Sequence, residues 1–303
     1  MKVVIYDQLD DPYGFIKLME PAFGWTATPT RIARMRRLDQ RYKDTFGFAA
    51  LDKSRLVGFV GVMDIRVRTL DRGVETIGGI HGVATDPNFA RTGIATRLFP
   101  YAHRHFRRKG YRFSFLCTGR NLVGHNLYRK LGYTDTPLAD RLTAYRIYRP
   151  RKAKRRRKPK RIDYRRMERV FAQVMKDRTG FSVRFPHWAR IKAKMQRFQP
   201  GSAIIRPGGY ALFEERRRTI EILDFHAVDR AAYQDVLSRV KARGKAVLWD
   251  PYVSDPMLEQ LYRDEGCEFR RGRWFTVMCK PLARTSFDRA FGDRFAFTWL
   301  DVF

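Results

Sequence analysis

Gly82-Val83-Ala84-Thr85-Asp86-Pro87-Asn88-Phe89-Ala90-Arg91-Thr92-Gly93-Ile94-Ala95 joins an apolar run, Thr76 to Ala84, to an amphipathic one that begins at Thr92. The first run reads as a strand, Thr85 to Arg91 as a turn containing proline, and the second run as a helix. A further strand, Arg112 to Cys117, and a further helix, Asn121 to Leu131, complete the unit. Gly93 and Ala95 keep side chains out of the way at the helix start. The unpaired N–H groups there, with their partial positive charge, make a cradle for phosphate. Tyr128 falls on the second helix, toward the same end of the sheet as the cradle. A pyrophosphate cradle beside a phenol points to acyl transfer from a carrier that bears a pyrophosphate.

The quoted loop resembles the acetyl-CoA loop of the GNAT N-acetyltransferases, whose usual form is Gln/Arg-x-x-Gly-x-Gly/Ala. Asn121 to Tyr133 resembles the helix that follows it in that family, where an Asn at the start and a Tyr seven positions on contact coenzyme A. One position departs from the pattern: Ala90 stands where Gln or Arg is usual, with Arg91 beside it. The resemblance implies an α/β fold with a mixed sheet and acetyl-CoA as cosubstrate. It implies contacts from Val83, Ala84, Thr85, Ala90, Arg91, Thr92, Gly93, Ile94, Ala95 and Asn121, and Tyr128 as both coenzyme contact and general acid. Gly78, Gly79 and Gly82 are costly in a strand unless something approaches its backbone, and a pantetheine arm would be such a thing.

The sequence has 303 residues, which predicts roughly two domains of ~150 residues each, and its 44% hydrophobic content supports ordinary cores. No signal-type or membrane-spanning run is present, so a cytoplasmic protein without a membrane partner is expected. Cys117, Cys267 and Cys279 lie in or beside apolar strand patterns without metal-type spacing and read as core thiols. Lys and Arg number 62 against 31 Asp and Glu, a net charge of +31, which attracts polyanions at long range. Arg149 to Arg161 is nearly all basic and reads as a solvated linker or arm.

Lys2 to Tyr6 reads as the first strand, Asp11-Pro12 opens a helix with Phe15, Ile16 and Met19, and a second helix follows Thr28-Pro29-Thr30. Phe46 to Leu51 and Leu56 to Thr69 form a hairpin, and the Arg72-Gly73 turn leads into the strand that precedes the cradle. The cradle helix is expected to bury Ile94, Leu98, Ala102, His105 and Phe106, with Pro100 inside it at a cost of ~3 kcal/mol or a kink. In the next helix Val123, Leu127 and Leu131 mark the core stripe, beside a second stripe of Asn121, Gly124, His125 and Tyr128. Leu142 to Tyr148 is expected to close this half as its last strand.

The pattern then repeats in weakened form. Ser202 to Arg206, Tyr210 to Glu215 and Thr219 to Ala227 read as strands, Asp229 to Ala242 as a helix, and Leu261-Tyr262-Arg263-Asp264-Glu265-Gly266-Cys267 parallels Leu127 to Tyr133. Trp274 to Lys280 is the closing strand. Val228-Asp229-Arg230 offers no glycine and puts a carboxylate where phosphates would sit, so this half is expected not to bind coenzyme A. The reading is thus a catalytic GNAT domain at 1–148, a basic linker at 149–166, a degenerate GNAT-like domain at 167–282 and an aromatic tail at 283–303. Two such halves in tandem resemble the mycobacterial enhanced-intracellular-survival acetyltransferases, whose third, sterol-carrier-like domain has no counterpart in this sequence. The tail carries Phe287, Phe291, Phe295, Phe297, Trp299 and Phe303 and is expected to dock on the protein.

The function expected is acetyl transfer from acetyl-CoA to a primary amine of a small molecule, peptide or protein. As base for that amine, His81 is a candidate because it lies two residues before Val83, on the same strand face, and titrates near working pH. The survival-protein resemblance implies another, the terminal carboxylate, here on Phe303. A different class of function is also open: a nucleic-acid-associated protein that grips phosphates with Arg149 to Arg161 and uses the GNAT halves as modifying module or scaffold. A homo-oligomer is compatible with either.

Overall fold

The computed structural model of the chain describes residues 1–24, 28–137, 142–148, 161–196, 198–253, 255–271 and 275–301. Most of the basic arm and Phe303 therefore lie outside the described residues. In the first part of the chain β1 (Lys2–Ile5), α1 (Pro12–Phe23), α2 (Pro29–Leu38), β2 (Gly47–Asp52), β3 (Arg55–Thr69) and β4 (Gly73–Thr85) precede the cradle turn. After it come α3 (Ile94–Arg108), β5 (Phe113–Thr118), α4 (Val123–Lys130) and β6 (Thr134–Asp135). The second part runs β7 (Leu142–Ile147), α5 (Tyr164–Val174), β8 (Thr179–Gly180), α6 (Trp188–Gln196), β9 (Ala203–Arg206), β10 (Gly209–Glu215), β11 (Thr219–Ala227) and α7 (Arg230–Lys241). It ends with β12 (Val247–Asp250), α8 (Pro256–Asp264), β13 (Glu268–Arg271), β14 (Thr276–Pro281), α9 (Phe287–Phe291) and β15 (Phe295–Ala296). The first two helices start where proline and a polar cap coincide: Asp11 accepts from the Tyr13 amide at 2.8 Å and Thr28 from the Arg31 amide at 3.2 Å.

The first sheet has the order β1-β2-β3-β4-β5-β14-β6, with β4 and β5 parallel and the short β8 and β15 attached beyond β3. Alternation along its strands separates two cores. Phe59, Phe115 and Val277 face one way, toward Phe15 and Met19 of α1 and Ile32 of α2. Val60, Leu116 and Met278 face the other way, toward Leu98 and Phe106 of α3 and Tyr128 of α4. The second sheet, β13-β7-β12-β11-β10-β9, repeats the plan in smaller form. Tyr233, Val236, Leu237 and Val240 of α7 pack on one of its faces, and Met167, Val170 and Phe171 of α5 pack with Tyr210 and Leu212.

The two closing strands are exchanged, which corrects the expectation that each half ends with its own. β7, from the stretch Leu142 to Tyr148, lies between β12 and β13 of the second sheet. β14 lies between β5 and β6 of the first, with Thr276 opposite Thr118 and Met278 opposite Asp135. Burial gives the reason. The slot beside β5 is covered on both faces and takes the strand whose Thr276, Val277, Met278 and Cys279 are all buried. β7 carries Arg146 and an Ile147 that is 73% exposed, and it fills the more open slot.

The tail docks as expected over its described residues: Ala290, Phe291, Phe295 and Phe297 join the first sheet's core beside Phe113, Phe115 and Phe181. Arg184 ties it to the second sheet, with bonds to Asp224 at 2.9 Å and Asp301 at 3.1 Å, while Tyr210 donates to Asp224 at 2.7 Å. Two helix faces differ from the sequence reading. In α3 the buried histidine is His103, whose ring bonds the Tyr133 hydroxyl at 2.9 Å, and His105 is half-buried. In α4 Val123 is 89% exposed, and the buried face is that of His125 and Tyr128.

Candidate active site

Between β3 and β4 the ladder slips once: Gly61 faces His81 and Phe59 faces Ala84, so Gly82 and Val83 together oppose Val60. This is a β-bulge, and Gly82 takes the positive φ of +54° that it requires. The pairing of β4 with β5 is confined to Gly78–Ile80 against Ser114–Leu116, although the strands continue to Thr85 and Thr118. Beyond that point toward the cradle turn the two strands are not paired with each other, and the backbone groups of β4 facing β5 are left without that ladder. Gly78 and Gly79, however, serve packing and not a ligand arm. A Cβ on Gly78 would stand 2.4 Å from the Phe106 ring, and one on Gly79 2.5 Å from Ile65.

The turn is built by short local bonds. Asp86 accepts from the Asn88 amide at 2.9 Å and pairs with Arg55 at 2.6 Å, and the Thr92 hydroxyl donates to the Phe89 carbonyl at 2.7 Å. Ala90 follows the turn, and the exposed Arg91 has φ +63°. Gly93, at φ +80°, is the N-cap of α3, and no side chain caps the helix. A Cβ at Gly93 would meet nothing within 4 Å, so the space beside the N-cap is open. The backbone conformation calls for glycine there. At the matching helix of the second half, the Asp229 carboxylate accepts from the Ala232 amide at 2.8 Å, which takes one first-turn donor and puts a negative charge beside the rest.

Val83, Ile94 of the α3 first turn and Tyr128 belong to one apolar cluster, so bulge, cradle and phenol lie on the same side of the first sheet. Tyr128 packs on Phe99 at 5.7 Å and Tyr133 at 6.3 Å, and burial alone pushes its hydroxyl up to about 12. Asn121 is exposed just ahead of α4. Tyr262, the counterpart of Tyr128, is fully buried and donates to Asp250 at 3.1 Å.

His81 is not brought to this cluster. The bulge shifts the alternation, so Val83 packs on the Tyr128 side while His81 points to the other face of the sheet. There its ring sits 4.9 Å from Phe46 and 5.2 Å from Tyr42, and burial, with help from Arg41, pushes it down to about 3. The last described residue is Asp301, so Phe303 is outside the site as described. One grouping was illegible in the sequence. His125, one turn before Tyr128, bonds Asp135 at 3.1 Å, and the same carboxylate accepts from Thr276 of the exchanged strand at 2.8 Å. Thr276 lies 141 residues from Asp135, and only the strand exchange makes them neighbours.

Residues 7–135 match the family profile described as an acetyltransferase (GNAT) domain. The chain carries a GNAT acetyltransferase domain. It is on that ground an acyltransferase. No curated protein matches the sequence. Among solved structures, a GCN5-related N-acetyltransferase from Kribbella flavida is 17% identical, with a TM-score of 0.64 over 92% of this chain and 70% of that one. Eis1 from Mycobacterium abscessus is 14% identical, with a TM-score of 0.61 over 93% of this chain and 74% of its own. A GCN5-related N-acetyltransferase from Anabaena variabilis is 13% identical, with a TM-score of 0.65 over 93% and 73%. At these identities the likeness is one of fold, and it extends across both sheets. Among the described residues no helix is long and apolar enough to cross a membrane.

Proposed function

We propose that the chain transfers the acetyl group of acetyl-CoA to a primary amine of a small molecule, peptide or protein. The observation that carries this reading is that the Gly82-Val83 bulge, the uncapped first turn of α3 and the buried Tyr128 lie on one side of the first sheet, with Val83, Ile94 and Tyr128 in one apolar cluster. In this reading the turn and helix start from Arg91 to Ala95 hold the pyrophosphate, with the N–H groups of Gly93, Ile94 and Ala95 as donors at an uncapped helix start and open space beside Gly93. Ala90 adds no side-chain grip, and Arg91 beside it is exposed and positive. Val83, Ala84 and Thr85 form the unladdered end of β4 where the acyl-bearing arm fits, with Asn121 at its rim.

The amine nitrogen attacks the thioester carbonyl carbon, the C–S bond breaks, the sulfur takes a proton from Tyr128, and the nitrogen gives up its extra proton to solvent. A phenol kept neutral by burial is in the right state to donate, and solvent restores its proton afterwards. His81 has a structural part in this reading, since it is buried on the other face. The test is thiol release from acetyl-CoA with a panel of amines. Tyr128→Phe is expected to bind acetyl-CoA normally and to turn over ~10²-fold more slowly, whereas Tyr262→Phe keeps the parental rate. Parental turnover in Tyr128→Phe with the best amine would remove the acid role.

A further inference from the structure

We propose that the outer face of α3 is a separate binding site for single-stranded nucleic acid. Arg97, Tyr101, Arg104 and Arg108 recur at helical spacing and form one row, ~16 Å long at ~1.5 Å per residue. All four are exposed, because Ile94, Leu98, Phe99, Ala102, His103 and Phe106 hold the opposite side of the helix against the sheet. α3 and α4 cover the same sheet face and contain no Asp or Glu, while carrying Arg97, Arg104, Arg107, Arg108, Arg129 and Lys130. Arg97, Arg104 and Arg108 make no ion pair among the described residues. Arg112 and Arg184, by contrast, are each held by two carboxylates.

A row of uncompensated guanidinium groups on a rigid helix attracts a phosphate backbone, and the net charge of +31 extends the pull. Tyr101 narrows the class of partner. The residue is 39% exposed in the middle of the row, with the Arg104 guanidinium 5.7 Å from its ring centroid and the Phe48 ring at 6.1 Å. A held, exposed aromatic among arginines is a stacking platform for an unpaired base. Duplex bases offer no free face, and a helix whose apolar side is already spent on the sheet has none to insert into a bilayer. Arg97 stands about one turn from Gly93, but Arg104 and Arg108 stand about three and four turns away, so the part of the row that the variants change does not depend on the acetyl-CoA reading.

Fluorescence anisotropy of the full chain with a labelled oligothymidylate of about 12 nucleotides, a duplex of equal length and phosphatidylserine vesicles tests this. The double variant Arg104→Gln, Arg108→Gln should reduce the slope of log affinity against log salt by about 1.4, two contacts at ~0.7 each for a single strand. Tyr101→Ala should weaken single-strand binding between about 5- and 100-fold with the slope unchanged and duplex binding unaffected. Both variants should keep the parental circular dichroism, and the double variant the parental thiol release. Parental single-strand affinity in both, or a row-dependent binding of vesicles in place of the oligonucleotide, overturns the proposal.

Discussion

At the bulge end of β4, His81 shares its pocket with Tyr42, Phe46 and Phe59, and its Nε2 has no partner among the described residues. Its folded value of about 3 lies below the ordinary 6.5, so between those values the unfolded chain binds a proton that the folded chain refuses. Stability contributed by the neutral ring is present above 6.5 and is lost as pH falls toward 3, by up to ~1.4 kcal/mol per pH unit. His103, also pushed to about 3 by burial, acts in the same direction. Asp250, raised by burial to about 6, acts in the opposite direction: its protonated form favours the fold, and that contribution fades as pH rises through 6. His81→Leu removes one acid-sensitive group. Urea denaturation between pH 6.5 and 4 should show a shallower loss of stability for the variant, and parallel curves would mean that the histidine takes up its proton in the folded state. The sequence placed His81 beside Val83 correctly, but alternation by twos gave the wrong face, because a bulge is invisible to residue counting.

At the scale of the element, α3 and α7 start alike and end up with opposite chemistry. Both pack an apolar face on a sheet, yet Gly93 leaves α3 without a side-chain cap while the Asp229 carboxylate caps α7 at the Ala232 amide. Gly93→Asp should turn the first condition into the second. The new Cβ meets no neighbour within 4 Å, so the main cost to the fold is the strain of φ +80°, ~1 kcal/mol or somewhat more. Acetyl-CoA affinity by calorimetry should fall at least tenfold, from repulsion of the pyrophosphate and loss of free donors. Near-parental affinity would place the phosphates elsewhere. This contrast was legible in the sequence, since caps and glycines act locally. The buried face of α4 was not: Val123 lies outward at the helix start, whereas His125 turns inward to Asp135, a partner that the helix pattern does not contain.

For the whole molecule the strand exchange makes each sheet depend on the other half of the chain. A fragment ending at Tyr148 keeps β1 to β6 but lacks β14, which leaves the edge of β5 unpaired and uncovers the core around Phe115 and Leu116. Exposed edges of that kind pair with other chains. Expressed alone, residues 1–148 should aggregate or show no cooperative thermal transition by circular dichroism, and co-expression with residues 149–303 should restore solubility. A monomeric 1–148 with a sharp transition would show that β14 is dispensable. The tail adds to the interdependence, because the buried Arg184 joins Asp224 of the second sheet to Asp301 near the chain end.

Strand, turn, helix and the Asn121-to-Tyr128 spacing were determined by the sequence itself, because turn residues, helix caps and hydrophobic period act over a few neighbours. The loss of the cradle in the second half was legible for the same reason. Which strand pairs with which edge was decided only in three dimensions. Leu142 to Ile147 and Thr276 to Pro281 are both good strands, and a two-residue period does not name a partner sheet. Packing chose between them: the slot beside β5 is buried on both faces, and β14 is the strand that can be buried on both. The face taken by His81 and the link from His125 through Asp135 to Thr276 follow from that packing and from the bulge, and local pattern carries neither.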